Sequence, residues 1–340
     1  MDIVHESLQR LLRNETLSRA DARALMDTVM VGEVADAPFG AIFALLHARG
    51  ETVDELAGLA EAMREHAVVV DAPADAIDTC GTGGDGADTF NISTCAAFVA
   101  AGAGATVAKH GNRAVSSRCG SADVLEALGG TLELEPTSVV ASLEASGFAF
   151  MFAPSFHPAM RHAAGPRRAL STRTAFNFLG PICNPAGVTR QVVGVSHAAA
   201  AERIAEVLRE LGAEHALVVH GSDGLDELSI AAPTMVLDVT PLGITRSEVT
   251  PEQLGLTRAP ISALVGGDAA RNADILRSVL EGSAGPARDA VVLNAAAAIL
   301  VAGIARDLQD GVHIAQRSID EGAALDRLER WVARTSEVAA

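Results

Sequence analysis

Between Asp78 and Gly86 the chain reads DTCGTGGDG, and Thr89–Thr94 continues it as TFNIST. Four glycines, Gly81, Gly83, Gly84 and Gly86, fall within six positions. Glycine reaches backbone conformations closed to other residues, so successive N–H groups can converge on one anion. Asn91, Ser93 and Thr94, at the mouth of the helix expected next, would add donors to its positive dipole end. The run lacks the Gly-Lys-Ser/Thr of a nucleotide-binding loop and the GxGxxG spacing of a dinucleotide fingerprint. Taken alone, it also reads as a glycine-rich turn followed by an ordinary helix cap.

A second run, KHGNRAVSS at Lys109–Ser117, is followed by CGSAD at Cys119–Asp123. Lys109 and Arg113 supply cations, while Ser116, Ser117 and Ser121 supply hydroxyl donors suited to phosphate oxygens. With a formal net charge of −17, cations beside serines stand out from the general surface; the alternative is a solvated loop with a cap at Ser121. A third run, His220–Glu227, ends in Asp226 and Glu227. Adjacent carboxylates suit Mg²⁺, which takes one or two and leaves its other positions to water and substrate phosphate; otherwise they are a solvated turn. In the fourth, Pro166–Asn177 leading to Gly180–Pro185, Arg167 could hold a carboxylate through paired hydrogen bonds. Six of the ten phenylalanines lie between Phe148 and Phe178. They could wall a flat ring, although packing between domains explains most of them better.

The elements that must position these groups follow from periodicity and punctuation. Residues 1–70 read as helices only, with Leu8, Leu11 and Leu12 on one face. Capping patterns stand at Ser18/Asp21 and Thr52/Glu55, and Gly50 closes a helix at Ala41–Arg49. A linker is expected around Val68–Ala76. Strands are then expected at Ile77–Cys80, Thr106–Lys109, Phe148–Phe152, Gln191–Val195, Ala216–His220 and Met235–Val239. Helices are expected near Ile92–Ala101, Ala122–Leu128, Ser138–Ser146, Ala199–Leu211, Ala269–Leu280, Ala287–Val301 and Ile319–Val332. Strands separated by helices imply an α/β domain with a central, largely parallel sheet covered on both faces. The glycine run and the Lys109 run each follow a strand, at the sheet edge where ligands of such folds bind. Pro158–Pro185 lacks strands and is expected to pack with the N-terminal helices. The division is therefore a helical domain over 1–70, completed by about 158–187, and an α/β domain over 71–157 and 188–340.

At 340 residues the chain can bury a large core. Its acidity repels phosphate backbones, so no nucleic-acid partner is expected. The four cysteines form no CxxC pair and read as free thiols of a reducing cytoplasm. The start is acidic and polar rather than signal-like, and no apolar run is long enough to span a bilayer. No membrane partner is expected.

Together, GTGGDG…TFNIST, KHGNRAVSS…GSADVLEALG, HPAMR, RTAFNFLGP…NPA and DGLDE resemble the anthranilate phosphoribosyltransferase family of tryptophan biosynthesis, in family order and over essentially the whole chain. The resemblance implies a nucleoside phosphorylase/phosphoribosyltransferase-like fold, a cleft between its two domains, and a homodimer formed through the helical one. It implies Mg²⁺ as cofactor, and phosphoribosyl pyrophosphate and anthranilate as the bound partners. By motif position, Gly81, Gly84, Asp85, Thr89, Asn91, Ile92, Ser93 and Thr94 would contact the donor. So would Lys109, His110, Gly111, Asn112, Arg113, Ala114, Val115, Ser116, Ser117 and Ser121. Ser93, Asp226 and Glu227 would ligate magnesium; Gly81, Asn112 and Arg167 would contact anthranilate. Lys109 and His110 are the catalytic candidates, His110 orienting the acceptor or supporting the loop rather than acting as a base. Cys119 and Ser171 depart from the pattern, which usually has Ser and Gly there.

The implied reaction breaks the bond from ribose C1 to pyrophosphate as an amine attacks, so positioning and charge neutralisation should dominate. A pyrimidine nucleoside phosphorylase is the nearest enzymatic rival, disfavoured by Asp226–Glu227 and by Arg167. A nucleic-acid-binding relative would need the basic surface that this chain lacks.

Overall fold

The structure, a computed structural model, describes residues 2–114 and 118–339. Four helices open it: α1 (Ile3–Leu12), α2 (Arg19–Met30), α3 (Asp36–Arg49) and α4 (Val53–Glu65). Both expected capping boxes are present, Ser18 with Asp21 and Thr52 with Glu55. Buried Glu55 also accepts from Leu17 N at 2.8 Å and pairs with Arg49, tying the starts of α2 and α4 to the end of α3. α3 begins earlier than expected, because Pro38 lies in its first turn, where no N–H is required.

Strands and helices then alternate through β1 (Ile77–Gly81), α5 (Ile92–Gly102), β2 (Val107–Gly111), α6 (Ser121–Ala127), α7 (Pro136–Ser146) and β3 (Phe148–Phe152). Helices α8 (Ala153–Phe156), α9 (Arg161–Leu170) and α10 (Phe176–Ile182) intervene before β4 (Arg190–Gly194). Next come α11 (Ala198–Glu210), β5 (His215–Gly221), β6 (Thr234–Thr240) and β7 (Gly243–Val249). The chain ends in α12 (Ala269–Leu280), α13 (Pro286–Val301), α14 (Leu308–Asp320) and α15 (Ala323–Ala339).

Among the described residues, one sheet of seven strands runs in the order β3-β2-β1-β4-β5-β6-β7. β3 to β5 are parallel; β6 and β7 are antiparallel additions. The sheet grows from β1 toward β3 on one side and from β4 toward β7 on the other. Its direction thus reverses between β1 and β4, where Gly81 and Gly194 are register partners. Open α/β sheets bind ligands at such a reversal, beyond the carboxyl ends of the strands.

Side chains alternate across the pleat. Val192 and Leu217 face a core built with α5 and α12 to α15, while Val193 and Val218 face α11 and the N-terminal helices. That second core also takes Ala163 of α9 and Phe176, Phe178 and Leu179 of α10, so the segment between β3 and β4 packs with α1–α4. No helix among the described residues is long and apolar enough to cross a membrane.

Three further features depart from the sequence reading. β7 was not expected: it is an edge strand whose largely exposed residues, such as Arg246 and Glu248, give no apolar alternation. The single tail helix expected at Ile319–Val332 is instead two helices, α14 and α15, broken by a turn at Glu321–Gly322. Of the leucines expected on one N-terminal face, Leu11 is buried within the bundle, whereas Leu12 is 60% exposed.

Ser171, which ends α9, has a left-handed backbone with φ of +48°. Its hydroxyl donates to Arg168 O at 2.9 Å, a local bond that helps a serine hold a conformation suited to glycine. Ser171→Gly should therefore stabilise the protein by about 1 kcal/mol at most. The check is a higher urea midpoint with an unchanged denaturant slope; an unchanged or lower midpoint would mean that the hydroxyl bond outweighs the backbone strain.

Candidate active site

The glycine loop leaves β1 at the sheet reversal and bends through Gly83 and Gly84, both with positive φ. Asp226 lies across the mouth of the reversal. A Cβ on Gly81 would come 2.6 Å from its Oδ2, and one on Gly194 would collide with its backbone oxygen. Two in-register residues without side chains thus make room for a carboxylate at the switch between β1 and β4. That carboxylate accepts from Gly83 N at 2.7 Å.

Glu227 caps the next element. Its Oε1 accepts from Ser93 N at 3.2 Å, setting a carboxyl group at the positive end of α5. Lys109 lies between these groups, only 2% exposed, bonded to Thr79 O, to Thr79 Oγ1 at 3.3 Å and to Ser93 Oγ at 3.5 Å. It is a buried counter-charge.

Electrostatically the cluster is short of positive charge. Burial pushes the Asp226 carboxyl up to about 7, with the charge of nearby Asp85 adding to the effect. Burial likewise raises Glu227 to about 8, with Asp226 adding and Lys109 opposing. Among the described residues, no three His, Cys, Asp or Glu side chains gather closely enough to hold a metal unaided. Oxygen donors lacking a full cation complement still fit Mg²⁺, which binds through one or two carboxylates and completes its shell with substrate phosphate and water.

The remaining predicted residues divide by what their atoms already do. Asn91 does not cap α5: its Nδ2 donates to Cys119 O at 3.1 Å and its Oδ1 accepts from Asn272 Nδ2 at 2.9 Å. It joins the first loop to the second instead of standing free. The side chains of Ile92 and Thr94 are buried, Thr94 Oγ1 without a partner among the described residues. Thr89 bridges to Val265, and Asp85 Oδ1 accepts from Ala87 N at 3.1 Å.

In the second loop, Ser121 Oγ donates to Asn112 O at 3.3 Å, and Asp123 accepts from Ala114 N and Gly120 N. A Cβ on Gly111 would collide with Ser121 Oγ. Arg113 lies over the Phe152 ring and pairs with Glu126 and Asp123, so its charge is answered within the protein. Val115, Ser116 and Ser117 lie outside the described residues. Cys119 is buried, and burial raises its thiol to about 11.

Burial, with His157 adding to it, lowers His110 to about 3, so it is neutral at physiological pH. Its ring centroid is 5.0 Å from that of His157, whose Nε2 meets Cys183 O at 3.0 Å. Beneath it, Asp78 accepts from His110 N at 3.3 Å and from Asn184 Nδ2 at 2.8 Å. Arg167, half-buried on α9, lies 4.9 Å over the Phe176 ring. Burial lowers its pKa, and it pairs with no carboxylate among the described residues. Arg168 beside it is exposed.

Sequence reasoning missed Arg173, Ser196, His157, Asp78, Asn184 and Asn272 as parts of this assembly. Arg173, His157 and Asn184 open the motif blocks RTAFNFLGP, HPAMR and NPA, and Asp78 begins the glycine run. Ser196 and Asn272 carry no such signal.

Two family models match the chain: one described as the helical bundle domain of a glycosyl transferase family, over residues 5–67, and one as its a/b domain, over 73–325. An anthranilate phosphoribosyltransferase of Rubrobacter xylanophilus is 50% identical over 331 residues, 97% of each chain. One from Chloroflexus aurantiacus is 51% identical over 97% of this chain and 98% of its own. Among solved structures, the Thermus thermophilus enzyme superposes with a TM-score of 0.92 at 44% identity, covering 97% of this chain and 99% of that one. The Saccharomyces cerevisiae enzyme in complex with PRPP and Mg superposes at 0.91 with 27% identity, covering 98% of both chains.

The raised carboxylates set a pH test. Groups that bind protons more tightly folded than unfolded give stability that is complete below about pH 4 and lost as pH climbs toward 7 to 8. The melting temperature of metal-free protein should fall from about pH 5 to about pH 8 more steeply than that of the Asp226→Asn, Glu227→Gln double variant. Mg²⁺ with pyrophosphate should recover the loss in the wild type only. Parallel decline in both proteins would rule out these carboxylates as the source.

Proposed function

The chain belongs to the anthranilate phosphoribosyltransferase family, and from that membership we propose that it carries the phosphoribosyl group of phosphoribosyl pyrophosphate to the amine of anthranilate, with Mg²⁺ required. The products are N-(5-phosphoribosyl)anthranilate and pyrophosphate, in tryptophan biosynthesis. The observation that carries this reading is a cation without an acid partner: Arg167, desolvated over Phe176, pairs with no carboxylate among the described residues of a chain with net charge −17. A guanidinium so held is suited to the carboxylate that anthranilate bears beside its amine.

In the proposed reaction the amine nitrogen forms a bond to ribose C1 while the C1–O bond to pyrophosphate breaks, its electron pair leaving with pyrophosphate. The nitrogen then loses one proton. An aromatic amine is unprotonated at neutral pH, so no strong base is needed, in keeping with a neutral His110. The glycine loop and the mouth of α5 would orient the donor, and Arg167 and Phe176 the acceptor. Lys109, fixed between Thr79 and Ser93, would add positive potential near the departing group. Ser93, Asp226 and Glu227 are the proposed magnesium ligands; the bound ion would neutralise charge on the leaving pyrophosphate. We further propose a cytoplasmic homodimer joined through the N-terminal helices, where Leu12 and Val31 are exposed.

The test is loss of anthranilate fluorescence on incubation with phosphoribosyl pyrophosphate and Mg²⁺. Arg167→Ala should lower kcat/KM for anthranilate by roughly two to three powers of ten and leave donor binding nearly unchanged. Arg168→Ala should do far less. Like behaviour of the two variants, or loss of donor binding with Arg167, would refute this acceptor site.

A further inference from the structure

We infer that Arg173 is a positioning residue of the glycine loop, aiming two backbone N–H groups at the pyrophosphate of the donor; this rests on the reaction proposed above. Arg173 lies between α9 and α10, six residues after Arg167. Its Nη1 donates to Gly83 O at 3.2 Å and is 3.5 Å from Gly84 O and 3.4 Å from Ser196 Oγ. Ser196 Oγ also donates to Gly83 O, at 3.2 Å. No carboxylate pairs with Arg173 among the described residues, and its Nη2 is buried without a partner. In a chain rich in acids, this guanidinium is committed to neutral oxygens on one loop.

The consequence follows from peptide planarity. In a trans peptide the N–H points opposite to the C=O. Holding the Gly83 and Gly84 carbonyls on Arg173 turns the N–H groups of Gly84 and Asp85 the other way, and neither has a hydrogen-bond partner among the described residues. Asp226 fixes the preceding N–H, that of Gly83, at 2.7 Å. The Gly83 residue is therefore held on both sides, by the proposed metal carboxylate and by Arg173. A side chain at Gly84, besides demanding a φ of +76°, would collide with Arg173 Nη1. One short segment thus carries the cation proposed for the acceptor and the one that shapes the donor loop.

The test uses full-length Arg173→Ala and Arg173→Lys, with rates over a donor series at saturating Mg²⁺ and anthranilate, and calorimetry with inorganic pyrophosphate plus Mg²⁺. Arg173→Ala should raise the donor KM and the pyrophosphate Kd together by roughly 10- to 100-fold, with kcat and the anthranilate KM changed by no more than about three-fold. Added guanidinium ion should restore part of the loss, and Arg173→Lys should fall between the wild type and Arg173→Ala. Should Arg173→Ala not fold, Arg173→Lys decides: a raised donor KM at unchanged melting temperature supports the role. An unchanged donor KM, a fall in kcat alone, or a loss that tracks a lower melting temperature without guanidinium rescue would overturn it. Wild-type protein that binds pyrophosphate but does not consume anthranilate would refute the proposed acceptor and leave the loop role standing. Wild-type protein that binds neither would overturn both.

Discussion

Asp226 and Glu227 are half-buried and desolvated at the carboxyl edge of the sheet, with one buried lysine, Lys109, to answer them. Burying carboxylates without full compensation is costly unless something charged completes the set. Much of the local architecture serves to hold that unfinished cluster. Gly81 and Gly194 give Asp226 its space, the glycine loop hangs from it through Gly83 N, and the first turn of α5 is capped by Glu227. The loop shape, the helix terminus and the lysine are thus parts of one charge arrangement, located where the strand order reverses.

The helical bundle enters this arrangement through α9 and α10. Phe176 packs against Phe39 and Phe43 of α3 and beneath the Arg167 guanidinium, so the acceptor-side cation is braced by the N-terminal helices. Arg173 reaches from the same segment to the glycine loop. Contacts from α1–α4 therefore reach the glycine loop through this segment. It also gives a physical reason for helices from before and after the first three strands to pack together.

Most of the fold was legible in the sequence, because apolar runs at strand spacing and capping residues such as Ser18 and Thr52 report local geometry directly. The glycine run was legible as a local signature, whereas the Asp226–Glu227 pair, a weak signal alone, stood out only in company with the other motif blocks. What the sequence hid depends on distant partners or on burial. Gly83 and Arg173 are 90 positions apart, and Gly83 and Asp226 are 143 apart. Lys109 and Arg113 look alike in sequence, yet one is a buried counter-charge and the other a surface ion pair. The residue type at Ser171 gives no sign of the left-handed turn it occupies; the resemblance to a family with glycine there was the only pointer.

The role proposed for these half-buried carboxylates is to receive a metal-bound, phosphorylated donor. It is tested most directly by counting protons. Calorimetry of the premixed magnesium complex of phosphoribosyl pyrophosphate at about pH 7, in buffers of different ionisation enthalpy, measures protons released on binding. With Asp226 raised to about 7 and Glu227 to about 8 in the free protein, binding should expel on the order of one proton. The Asp226→Asn, Glu227→Gln variant should release none. Tight binding to the wild type without proton release, or equal release from the double variant, would exclude Asp226 and Glu227 from this role.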